Sequence, residues 1–131
     1  MKSLMVSLIF LVFALCGCSV AKQTPAQLAR QLSSADQVVV TNRYYAFRAT
    51  TTGTDVSSLI TAIKSSKPKR WGSDEDWEEP FVCNLEFYAG TNLLVSVPTV
   101  YGVFNLDGIE YFDRSGVLEK FCIKVAGDRT R

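Results

Sequence analysis

The chain has 131 residues, enough for one domain with a sizeable core, and carries 14 basic against 13 acidic side chains. That near-neutral balance excludes a global charge that would steer the protein to nucleic acid, and the complete lack of histidine removes the commonest general base and neutral metal ligand. Serine–histidine and cysteine–histidine nucleophilic chemistry is therefore excluded, and no pattern in the chain calls for a metal or another cofactor.

Lys2 opens the chain with a positive charge, and Leu4 to Leu15 form an apolar run of about twelve residues, too short for the ~20 that a spanning helix needs. The run closes on Leu15-Cys16-Gly17-Cys18, in which Gly17 supplies the small residue that a signal peptidase reads before its cut. This stretch resembles the lipobox of bacterial lipoprotein precursors. The resemblance implies that residues 1–17 are removed and that Cys18 is acylated as the first residue of the mature protein. It also implies anchoring by several acyl chains, each buried methylene contributing ~0.8 kcal/mol. The expected location is the bacterial cell envelope. Ser19 in the family's sorting rule directs the protein to the outer membrane, facing the periplasm, where the organism has two membranes. A plain secretory signal or a retained N-terminal helix is the alternative. Loss of Lys2 leaves 13 basic against 13 acidic residues, and residues 18–23 read as a tether to a single domain over residues 24–131.

Thr24-Pro25-Ala26-Gln27 has the form of a capping box with proline at the first helical position, so a helix is predicted from there, with Leu28 and Leu32 as its apolar stripe. Gln37 to Thr52 is rich in β-branched and aromatic residues and reads as one long strand, bent near Thr41-Asn42, with Tyr45, Phe47 and Ala49 facing the core after the bend. Asp55 is the expected cap of a second helix, whose residues Val56, Leu59, Ile60 and Ile63 recur at helical spacing.

Lys67 to Pro80 is a polar connection in which a basic block gives way to an acidic one, with both tryptophans inside it. Trp71, Asp74, Asp76 and Trp77 form the candidate binding surface, since aromatic rings flanked by charge offer rigid contact area with a polar rim. The alternative has the tryptophans folded over the sheet with the acids solvated. Alternating Asp74, Asp76 and Glu78 lack the glycine and the distant bidentate glutamate of a calcium loop, and no metal is expected there.

From Phe81 the chain alternates, placing Cys83, Leu85 and Phe87 on the apolar face, before a turn at Ala89-Gly90-Thr91-Asn92. Leu93–Val97 is a third strand that Pro98 interrupts or edges. Val100–Leu106 is a fourth, ending at Asp107-Gly108, and Ile109–Phe112 can extend the meander. The tail reads two ways. As a strand it turns Cys122 away from Phe121 and Ile123. As a helix, the favoured reading, it aligns Leu118, Phe121, Cys122 and Val125 with Ser115 as a cap, and puts Cys122 inward like Cys83. A Cys83–Cys122 disulfide would then close a loop worth ~3 to 4 kcal/mol in the chain-entropy model.

The expected fold is α+β, an antiparallel sheet of four or five strands with two or three helices on one face, in the order α-β-α-β-β-β followed by a helix or strand. The expected function is a non-catalytic binding domain on a lipid anchor, with the membrane, and an envelope protein or cell-wall component, as partners and no nucleic acid. A protective inhibitor of a lysozyme or toxin is one alternative. A glycan hydrolase using Glu86 with Glu110 or Asp113 is the weakest, because no spacing brings two carboxylates to a defined separation.

Overall fold

A computed structural model describes residues 22–42, 46–70 and 82–127, with side chains described to residue 124. Cys18, the lipobox, the Trp71–Glu79 surface and the expected core residue Tyr45 lie outside the described residues, as does the side chain of Val125.

The described chain runs α1 (Pro25–Gln31), β1 (Gln37–Asn42), β2 (Phe47–Thr52), α2 (Thr54–Ser65), β3 (Lys67–Pro68), β4 (Cys83–Ala89), β5 (Asn92–Thr99), β6 (Val103–Leu106), β7 (Ile109–Phe112) and α3 (Val117–Gly127). All strand pairs are antiparallel, and the strands divide into a four-stranded sheet, β2-β1-β4-β5, and a three-stranded sheet, β3-β7-β6. The protein is α+β, and its tail is the favoured helix.

α1 begins as its sequence dictates. Thr24 accepts from the Gln27 amide at 3.2 Å while the Gln27 side chain accepts from the Thr24 amide at 2.9 Å, completing the capping box. Leu28 and Leu32 are fully buried.

The expected single strand over residues 37–52 is instead two antiparallel strands, paired from Gln37–Thr52 to Asn42–Phe47. Ala46 supplies part of the reversal with φ 49°, a left-handed conformation that an alanine adopts only at some cost. The two strands face the core through Val38 and Val40 and through Phe47 and Ala49.

α2 buries Val56, Leu59, Ala62 and Ile63, with Ile60 at the margin. Its cap differs from the expectation. Gly53, at φ 68°, occupies the N-cap position, and Asp55 lies inside the first turn, where its carboxylate accepts from the Thr51 hydroxyl at 2.7 Å. An acidic group there still complements the positive helix end.

Of the two roles open to Pro98, the edge position holds: β5 is an edge strand and runs through Pro98 to Thr99, past the expected end at Val97. One further correction concerns a strand. The expected strand Val100–Leu106 is broken at its start by a tight turn. Val100 and Val103 exchange both backbone hydrogen bonds at 2.9 Å around Tyr101 and Gly102, whose φ values of 49° and 80° give the type I′ pattern of a two-residue hairpin. Within the polar connection, Lys67 and Pro68 pair with Phe112 and Tyr111 as β3.

One core unites the elements. Val38, Val40, Leu85, Phe87 and Val97 share the inner face of the larger sheet, and Phe104, Leu106 and Tyr111 join from the smaller. Phe104 and Tyr111 stack at 5.9 Å between ring centroids. The helices supply Leu28, Leu32, Leu59, Ile63 and Leu118 to the same cluster.

Candidate functional site

The inner face of the larger sheet ends in a polar cluster beneath α3. Strand register pairs Cys83 with Thr99 across β4 and β5, and the inward alternation of Leu85, Phe87 and Val97 carries through to both. α3 brings Cys122 over them. The Thr99 hydroxyl donates to the Cys83 carbonyl at 3.1 Å and lies 3.7 Å from the Cys122 sulfur. Cys122 thereby stands beside Cys83 at Thr99, close enough for the two thiols to influence each other. Both cysteines are half-buried free thiols packed against the core.

This contact makes the thiols unequal. The Cys83 thiol, donating to the Cys122 sulfur and buried, holds its proton far more tightly than an ordinary cysteine. Cys122, receiving that hydrogen bond, is lowered; burial opposes the shift, and the Thr99 hydroxyl adds to it. Cys122 is therefore the first to ionise.

α3 is set at this position by Asp113, a charged residue that is fully buried. One carboxylate oxygen accepts from the Leu118 amide at 3.0 Å, and the other accepts from the Ser115 amide and hydroxyl. Ser115, the expected cap, makes only a 3.4 Å contact to the Val117 amide. The Asp113 amide in turn donates to the Gly102 carbonyl at 3.1 Å, tying the helix start to the β5–β6 turn. Gly102 suits this turn through its φ of 80°, while the Glu119 Cβ would stand at an ordinary contact distance of 3.7 Å from an added Cβ.

The outer face of the larger sheet carries Arg48, Thr50, Val39, Asn84, Glu86, Tyr88 and Ser96 in register. Tyr88 donates to Glu86 at 2.7 Å, and Ser96 donates to Asn84 at 2.9 Å. The Glu86 carboxylate raises the Tyr88 phenol above its ordinary range, with Arg48 opposing. At the adjoining hairpin, the Asp36 carboxylate accepts from the Gly90 amide at 3.1 Å and the Gln37 side chain donates to the Gly90 carbonyl at 3.0 Å.

A groove of about 320 Å³ runs between α2 and the start of α3, lined by Ser57, Ser58, Thr61, Ser65, Ser115 and Val117 among others. Ser57, Thr61 and Ser65 turn their hydroxyl protons onto α2 carbonyls, leaving mainly acceptor lone pairs and carbon to the groove.

The carboxylates considered for glycan chemistry have local partners. Asp113 binds the α3 start, Glu86 binds Tyr88, and Glu110 lies 3.5 Å from the Lys69 ammonium in the smaller sheet. No group of three or more metal-ligating side chains occurs among the described residues. Sequence reasoning found Cys83 and Cys122 but missed Thr99 and Asp113. The turn-and-cap run Asp113-Arg114-Ser115-Gly116 is a signal that could have found the second; nothing local marks the first.

No protein-family model, no curated protein and no solved structure matches the chain.

Proposed function

We propose that the chain is a lipid-anchored protein of the bacterial cell envelope, held at a membrane by acyl chains on Cys18. Its single domain presents a non-catalytic binding surface to an envelope protein or cell-wall partner. The observation that carries this reading is Leu15-Cys16-Gly17-Cys18 closing a short apolar run behind Lys2.

The binding role is supported by the absence of histidine and by the local use of Glu86, Glu110 and Asp113. The surface proposed for the partner is the segment holding Trp71, Asp74, Asp76 and Trp77. It leaves the smaller sheet after β3 and rejoins the larger at β4, so both ends are tied to sheets.

The test is membrane flotation of the expressed full chain together with metabolic labelling by a fatty-acid analogue. The native chain floats with membranes and takes up label, and Cys18→Ala loses both. A Cys18→Ala chain that still carries label would overturn the reading.

A further inference from the structure

We infer that Cys83 and Cys122 form a redox-active dithiol, closed by a disulfide-donating oxidant into a bond that clasps α3 to β4, with Cys122 as the attacking sulfur. The inference stands apart from the fate of Cys18.

The geometry has three parts. Cys83 and Thr99 are cross-strand partners on the inner face of the sheet, and Cys122 descends on them from α3. Thr99, the cross-strand partner of Cys83, has its hydroxyl 3.1 Å from the Cys83 carbonyl and 3.7 Å from the Cys122 sulfur, which brings the two cysteines to one place in the fold. Asp113 and the fully buried Leu118 fix the helix one turn before Cys122, holding the sulfurs together before any bond forms. Neither residue is fully buried, which leaves the pair open to a small disulfide.

Closure proceeds by exchange. The Cys122 thiolate, favoured by the hydrogen bond from Cys83, attacks one sulfur of the incoming disulfide, forming a mixed disulfide and releasing one thiolate. Cys83 then gives up its proton, attacks the Cys122 sulfur and displaces the second thiol. The protein loses two protons and two electrons, and the donor disulfide takes them up to become two thiols. The bond joins α3 to the first residue of β4.

The experiment uses the full chain, reduced and then exposed while folded to oxidised glutathione, with peptide mapping by mass spectrometry. The expected product is a Cys83–Cys122 linked pair, formed without loss of structure and raising the thermal midpoint by about 10 °C or more. The Cys83→Ser variant accumulates glutathione on Cys122, whereas Cys83 in the Cys122→Ser variant reacts at least about tenfold more slowly. Separate glutathiones on both residues of the native chain, or two thiols still open to alkylation, would overturn the inference, and this reading needs no variant to fold. Faster reaction at Cys83 than at Cys122 would overturn the assignment of the attacking sulfur.

Discussion

The carboxylate of Asp113 reaches into the first turn of α3 to accept from the Leu118 amide at 3.0 Å, so a single buried acid both starts the helix and holds it on the core. Helix starts leave several amides without internal partners, and here burial prevents water from replacing the acid. Asp113→Ala should cost roughly 2 kcal/mol, and Asp113→Asn, which keeps one acceptor, about half of that. Urea denaturation reads the difference as a lower midpoint at unchanged slope. A midpoint for Asp113→Ala equal to that of the native chain would contradict this role.

Thr99 tunes the neighbouring sulfur. When Cys122 ionises, the Thr99 hydroxyl can turn from the Cys83 carbonyl to the thiolate. The pH profile of Cys122 alkylation, measured in the Cys83→Ser background so that only one of the pair reacts, should move to higher pH in Thr99→Val. The sign follows from the hydroxyl favouring the charged form, which its loss disfavours. An unmoved profile would remove Thr99 from the account.

On the outer face, Tyr88 should titrate above an ordinary phenol, because ionising it gives up the hydrogen bond to Glu86 and sets a second negative charge beside that carboxylate. Glu86→Gln keeps an acceptor but removes the charge, so the Tyr88 titration should fall back toward the ordinary phenol range near 10. Residue-resolved NMR titration checks this. The linkage sign is that of a raised group: any stability Tyr88 gains from Glu86 is complete below the unfolded phenol pKa and is lost as pH rises through the folded one.

The binding surface makes a separate prediction. Trp71→Ala combined with Trp77→Ala should remove envelope crosslinks while leaving the denaturation midpoint within about 0.5 kcal/mol of the native protein. A large loss of stability would assign the tryptophans to the core instead.

The helical elements were legible because their signals are local. The Thr24–Gln27 capping box and the spacing of Val56, Leu59 and Ile63 each lie within a few residues. The inward alternation of Cys83, Leu85 and Phe87 was equally plain. The β1–β2 reversal was hidden because β-branched residues flank it and no glycine or proline marks it, with Ala46 taking the left-handed position. Pro98 left two readings open, because a strand's edge position is decided by tertiary pairing, which no local residue records. The cysteine cluster was half legible. Helical phase turned Cys122 inward, but the meeting with Cys83 and Thr99 depends on where Asp113 sets α3.

The most direct measurement of the central claim is the mass of the N-terminal peptide of protein taken from its own membranes. The account predicts a chain that begins at Cys18 and carries the mass of attached acyl groups on that residue. A peptide that begins at Met1, or at another position with Cys18 unmodified, would contradict it.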